Sequence, residues 1–331
     1  MVTDSVGGQE QLSGCSAAIT QGCRQPLYQN LTKVLCSIEA STKDSLLTKG
    51  RIAELVRASG LAYTRAVQHG TNLSIYGEEA AWMLSRAHGG KNGLWQVPAQ
   101  LECALQQLSS NRIQHSLTIG TFSGWTDIFM TAILRRFAPS PSEYTHLTVD
   151  VISATVQSCV QRTLRNLNVT RLVLGDPPLV NRPEDSQLLP GRRFMRCTNR
   201  TSMRAGCSMR DLVAHNGVLR DSATGRELLR LRHVYDLCFI DGDHSYQAVK
   251  NDFEGLRGVC RTFLFHDIIN APRVGNLSTT LFWLETAAGK WQQPGRYAYS
   301  TVECTQQPAG SDGQLMGLGI VDVSRWRPSS F

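Results

Sequence analysis

Two short runs in this chain carry side chains able to move protons and hold a cation. The first, Tyr235-Asp236-Leu237-Cys238-Phe239-Ile240-Asp241-Gly242-Asp243-His244-Ser245-Tyr246, is an apolar stretch that stops at two carboxylates and an imidazole. The second, Leu264-Phe265-His266-Asp267, again sets an imidazole and a carboxylate after apolar residues. Histidine can take a proton near neutral pH. Two carboxylates on adjacent strands can hold a divalent cation such as Mg2+, which lowers the pKa of a hydroxyl. A reaction at a hydroxyl needs both in-line positioning and removal of the hydroxyl proton. Asp241, His244 and His266 are therefore the candidate catalytic residues, and Asp241 and Asp267 the candidate metal ligands. Asp243 reads more simply as the cap of a helix starting near His244.

A second group of residues points to a nucleoside. Gly120-Thr121-Phe122-Ser123-Gly124 lies where an apolar strand turns into a helix, and its glycines allow a tight bend and close approach to a ligand. Asp150 closes the next strand, where a carboxylate can accept hydrogen bonds from both ribose hydroxyls. Asp176, after Gly175 at the end of the third strand, can reach an adenine edge or cap the Pro-rich turn that follows. A plain tight turn and a capping aspartate explain the first two features separately; together they favour a nucleoside-containing cofactor. The spacing is not GxGxxG, which speaks against a dinucleotide and a NAD-dependent oxidoreductase.

The elements that position these residues alternate. The hydrophobic pattern predicts a helix opened by Pro98, with Leu101, Leu105 and Leu108 on one face. It then predicts a strand at 115–119, a helix at 124–137, a strand at 147–151, a helix at 154–167 and a strand at 171–174. The pattern resumes with a strand at 235–240, a helix at 244–256 and a strand at 259–265. Runs at 297–304 and 315–323, separated by Pro308, Gly310 and Gly313, must pair antiparallel. The fold class is thus α/β, a doubly wound, mostly parallel seven-stranded sheet with an antiparallel C-terminal hairpin. In such a sheet the two reactive runs reach the same carboxyl edge, where open α/β sheets bind ligands.

The remaining segments divide the chain. Residues 1–25 read as a flexible tail and 26–93 as an N-terminal helical cap, with amphipathic helix from Asp44 to about Gln68, broken near Gly60, and a second helix at 77–88. Residues 94–331 form the main domain, with 177–233 a long excursion that carries prolines at 177, 178, 183 and 190.

The 331 residues are 41% hydrophobic, enough for one large core, and carry a net charge of +7. Residues 161–233 hold fourteen Arg, no Lys and six Asp or Glu, so that the rest of the chain is about neutral. Such a segment suits an anionic acceptor or a solvated insertion; no aromatic-rich motif beside it supports nucleic-acid binding. No stretch approaches the ~20 apolar residues of a membrane span, and the N-terminal residues lack a basic start followed by an apolar run. Ten scattered cysteines without a CxxC pair therefore read as reduced thiols in a cytoplasmic protein. On that reading the sequons at Asn30, Asn72, Asn168, Asn199 and Asn276 arise by chance.

Over about residues 94–323 the chain resembles the class I S-adenosylmethionine (SAM)-dependent methyltransferases, in particular methyltransferase domain family 24, which includes O-methyltransferases of sugars and other natural products. The resemblance is carried by Trp95-Gln96-Val97-Pro98, by Thr118 to Trp125, by Asp150, by Phe239 to Tyr246 and by Phe265-His266-Asp267. It implies that Gly120, Thr121, Phe122, Ser123, Gly124 and Trp125 wrap the amino-acid portion of SAM, that Asp150 holds its ribose, and that Asp241 lies beside the sulfonium and a small-molecule acceptor. It also matches Asp241 and Asp267 to the acids of metal-dependent relatives. Two positions depart from the pattern: Thr118 stands where many relatives have an acid, and Ile268 where catechol-type enzymes have Asn. These departures keep a catalytically silent SAM-fold scaffold as the rival reading.

Overall fold

Alternating side chains along the strands determine which layer each residue joins. A computed structural model describes residues 26–60, 96–121, 124–150, 158–174, 192–195, 218–220, 227–230, 234–242, 244, 246–269, 279–293, 297–306 and 316–325. Its elements run α1 (Pro26–Ala40), α2 (Lys43–Leu46), α3 (Arg51–Ala58), α4 (Pro98–Leu108), β1 (His115–Ile119), α5 (Trp125–Phe137), β2 (Thr145–Asp150), α6 (Ser158–Asn166) and β3 (Val169–Leu174). There follow β4 (Arg192–Met195), β5 (Val218–Arg220), β6 (Glu227–Arg230), β7 (Tyr235–Ile240), α7 (Tyr246–Leu256), β8 (Cys260–Ile269), α8 (Thr279–Ala287), β9 (Ala298–Cys304) and β10 (Met316–Arg325).

The main sheet has the order β4-β3-β2-β1-β7-β8-β10-β9. All its pairings are parallel except those of β10 with β8 and β9. The doubly wound sheet and its antiparallel hairpin are those expected from the sequence, with one difference: the sheet has eight strands, not seven. The extra strand is β4, an edge strand contributed by the 177–233 excursion and paired with β3 from Arg171↔Arg192 to Leu174↔Met195. Four residues without a clear period-2 pattern give little strand signal. From the same excursion, β5 and β6 form a separate two-stranded antiparallel sheet.

Leu237 and Phe239 of β7 point into one core with α1, α3, α4, α5 and α6, while Cys238 and Ile240 point into the other with α7 and α8. Helix α4 begins at Pro98 and buries Leu101, Leu105 and Leu108, as its pattern predicts. Upstream, the amphipathic stretch is interrupted at Gly50, which has φ 86° and divides α2 from α3. The tail at 1–25 and the helix expected at 77–88 lie outside the described residues. Among the described residues no helix is long and apolar enough to cross a membrane.

Among the described residues the cysteines are not reduced thiols. Cys103 of α4 is bonded to Cys304 at the end of β9, across 201 residues of sequence and with 5.7 Å between their Cα atoms. Cys238 is bonded to Cys260, Cys36 and Cys159 are also disulfide-bonded, and among the described residues no cysteine is free. Scattered positions were no guide, because pairing depends on Cα separation in space and not on spacing in sequence.

Candidate functional site

The site forms at the carboxyl edge, beside the point where the chain reverses its winding between β1 and β7. At this switch point Asp241 N–H donates to Ile119 O at 2.8 Å, and Gly120 N–H donates to Val149 O at 2.8 Å. Gly120 has φ 89°, and a Cβ there would collide with the Asp241 carbonyl. The first glycine is thus required by strand-to-strand approach, whatever a ligand requires in addition. Asp236, at the other end of β7, braces the start of β1, where its Oδ2 accepts from the N–H groups of Gln114 and His115, both at 2.9 Å.

Asp241, His244, His266 and Asp267 converge, each offering a ligating atom within 4.8 Å of the others. His266 Nδ1 lies 2.9 Å from Asp241 Oδ1 and 3.5 Å from Asp267 Oδ1. His244 Nδ1 lies 3.0 Å from Asp267 Oδ2, and its Nε2 is 3.6 Å from Asp241 Oδ1. Helix α8 steadies both halves: Thr279 N–H donates to His244 O at 3.0 Å, and the Thr280 hydroxyl donates to Asp267 O at 3.3 Å. The side chain of His244 is 50% exposed, whereas that of His266 is 3% exposed. Only the first can meet a molecule arriving from solvent.

Adjacent strand residues ordinarily point to opposite faces, and His266 and Asp267 are adjacent. The sequence places them after the strand, but β8 continues to Ile269 because β10 pairs along it. Between Leu318↔His266 and Met316↔Ile269 the two residues Asp267 and Ile268 oppose the single residue Gly317, which is a β-bulge. Asp267 sits there at φ 57°, in the left-handed region that non-glycine residues seldom occupy. The irregularity turns both side chains onto one site.

Charge follows from this packing. Burial opposes ionisation of Asp241, but His266 and His244 outweigh it and hold the carboxyl at about 2. The neighbouring carboxylates of Asp241 and Asp267 raise His244 to about 10 against the effect of burial. His266 is also raised, because the two carboxylates overcome its burial, and Asp267 is lowered because the imidazoles overcome its own. Without a cation the contacts of the cluster therefore favour ionised carboxylates and protonated imidazoles.

One participant carried no assigned role in the sequence. Gln96 is buried, donates from Nε2 to Asp241 Oδ2 at 2.9 Å, and accepts from the Thr126 hydroxyl. The run Trp95-Gln96-Val97-Pro98 was its only signal. Of the other expected residues, Asp150 ends β2 at the carboxyl edge, in register with Val173. Thr121 is buried and its hydroxyl contacts that of Thr148. Gly124 takes φ 84° as it opens α5. The ring of Trp125 lies in the core against Tyr28, with centroids 5.6 Å apart, and so does not line the site. Phe122, Ser123, Asp176, Asp243 and Ser245 lie outside the described residues.

Thr118 turns away into a buried polar network. It is 3.3 Å from His146 Nε2, which is 3.1 Å from Asp127 Oδ1, while His146 Nδ1 is 2.6 Å from Ser116 Oγ. Asp127 Oδ2 is buried with no hydrogen-bond partner.

No family model matches the chain, and no curated protein matches it. Among solved structures it is similar to the O-methyltransferase from Bacillus cereus in complex with SAH, with 16% identity, a TM-score of 0.38, and coverage of 86% of this chain and 99% of that one. It is also similar to the O-methyltransferase TomG from Streptomyces achromogenes, involved in tomaymycin synthesis and in complex with SAM, with 14% identity, a TM-score of 0.40, and coverage of 83% and 98%. Likenesses this distant add nothing to what the strand order shows, so the functional reading rests on the site.

Proposed function

We propose that this chain is a SAM-dependent methyltransferase that methylates a hydroxyl of a small-molecule or sugar-like acceptor. The observation that carries the reading is the Asp241–His244–His266–Asp267 cluster at the carboxyl edge, next to the Gly120 turn and in line with Asp150 at the end of β2. When bound, SAM supplies a methyl group on a sulfonium, and the protein's part is to position the acceptor and remove its proton. His244 is the half-exposed imidazole. Its Nδ1 is engaged by Asp267, while Nε2 stands at 3.6 Å from Asp241, beyond hydrogen-bond reach. Nε2 is thus the atom that takes the acceptor's proton once His244 is neutral. His266 is buried too deeply to touch substrate and acts as a positioning residue for Asp241.

The donor set also fits a divalent cation. Asp241 and Asp267, joined by one or both imidazoles, would hold it, and a bound ion would lower the pKa of the acceptor hydroxyl. Two nitrogen donors suit an ion such as Mn2+ or Zn2+ better than Mg2+, which prefers oxygen ligands. Melting of the chelated chain with each ion added back tests this: a rise with Mn2+ or Zn2+ that Asp267→Asn abolishes is expected, and equal melting in all three ions removes the cation from the proposal.

Calorimetric titration with SAM and with NAD tests the cofactor, and absence of SAM binding by folded protein overturns the proposal. An acceptor screen then compares wild type with Asp241→Asn and His244→Ala, both of which should lose turnover. One observation favours a catalytically silent scaffold instead: Thr118 is committed to His146 and brings no acid to the cofactor end. Tight SAM binding without turnover on any acceptor would select that reading.

A further inference from the structure

We propose that Asn168 carries an N-linked glycan and that this chain matures in an oxidising compartment. The inference does not depend on methyl transfer. It begins with the cysteines, all of which are disulfide-bonded among the described residues. Disulfides persist in oxidising environments and are rare where glutathione and thioredoxin keep thiols reduced. Cys103–Cys304 links two distant elements of the fold, with Cys304 buried and Cys103 partly buried, so it is a structural cross-link rather than an exposed redox pair.

Asn-x-Ser/Thr triplets are modified in secreted proteins, which mature in such a compartment. Two sequons have an acceptor asparagine among the described residues. In Asn30-Leu31-Thr32 the threonine is buried and its hydroxyl donates to Tyr28 O at 2.6 Å. In Asn168-Val169-Thr170 both Asn168, in the turn that follows α6, and Thr170, the second residue of β3, are exposed. The β3–β4 ladder starts only at Arg171, so β4 does not cover Thr170. Asn168 lies where β3 begins, at the edge of the sheet opposite the candidate site, so a bulky chain there leaves the site open.

Asparagine at this position has a competing explanation, since Asn168 has φ 62° and its N–H closes the end of α6 on Arg165 O at 2.9 Å. Asparagine tolerates that conformation. Glycine would satisfy it equally, and the cap makes no demand on residue 170. In the modification, Asn168 Nδ2 forms a bond to the anomeric carbon of an oligosaccharide carried on a lipid diphosphate. The anomeric C–O bond breaks, the diphosphate leaves with the electron pair, and one amide proton is released.

The test is peptide mapping of the full-length chain isolated from the cells that make it, with free thiols alkylated before digestion and without reductant. The expected result is a glycopeptide containing Asn168 together with a cross-linked peptide pair containing Cys103 and Cys304. Bare Asn168, or Cys103 and Cys304 recovered as alkylated thiols, overturns the proposal. Two variants made in the same cells separate acceptor from cap: Thr170→Val and Asn168→Gly should each lose the glycan mass while melting as wild type does. Retention of that mass in Thr170→Val would place the glycan elsewhere and overturn the assignment.

Discussion

Asp241 is held by Gln96 on one oxygen and by His266 on the other, with His244 close by, so its behaviour should report the whole cluster. Its carboxyl, near 2 when folded, lies below the ~3.9 of an unfolded aspartate. Its contribution to stability is therefore present above pH ~4 and lost as pH falls through the folded value. His244 moves the other way, from ~6.5 unfolded to about 10. Its contribution is complete below pH ~6.5 and lost as pH rises through 10. In chelator, melting of the wild type relative to Asp241→Asn should thus be most favourable between pH ~4 and ~6.5; an offset independent of pH would refute this. The same imidazole must be neutral to act as a base. In assays without added metal, turnover should climb through the alkaline range, and Asp267→Asn, which removes one raising carboxylate, should shift that climb to lower pH. Gln96→Leu strips a buried hydrogen bond from a charged group and should cost about 1.5–3 kcal/mol of stability, measured by denaturant unfolding.

At the scale of elements, the bulge between β8 and β10 aims Asp267. Gly317 makes it possible: it has φ 77°, and a Cβ there would lie 2.8 Å from Ile268 Cγ1. Gly317→Ala should cost at least about 1–2 kcal/mol from the left-handed conformation alone, with loss of cation affinity as Asp267 is displaced. Gly289→Ala is the control. Gly289 has φ 79°, but its nearest neighbour would be the flexible end of Gln292 at 3.3 Å, remote from the cluster. Equal cation affinity in the two variants would show that the bulge does not aim the site. Strand positions were legible in the sequence because alternation is a local property. The bulge was not, since it depends on how β10, some fifty residues later, registers against β8.

For the molecule as a whole, Cys103–Cys304 closes a loop of 201 residues between α4 and β9. In the chain-entropy account a loop of that length is worth about 5 kcal/mol when native strain is absent. Denaturant unfolding with and without reductant measures it: the midpoint should fall on reduction, and the double variant Cys103→Ser, Cys304→Ser should start from a lower midpoint than wild type and fall by less on reduction, through its remaining disulfides alone. Coincident midpoints for wild type with and without reductant would show that the cross-link contributes nothing to stability.

The sequence by itself determined the alternation of strands and helices, the antiparallel hairpin, and the placing of Asp241, His244, His266 and Asp267 at one edge of a doubly wound sheet. Each follows from hydrophobic periodicity and chain order, which are readable in one dimension. Tertiary structure alone decided that Gln96 reaches Asp241 across 145 residues, that Trp125 belongs to the core, that β4 adds an eighth strand, and that the cysteines pair. These depend on which distant segments become neighbours. The same distinction separates His266 from His244: both are histidines beside carboxylates in the sequence, and only packing buries one and leaves the other open to solvent.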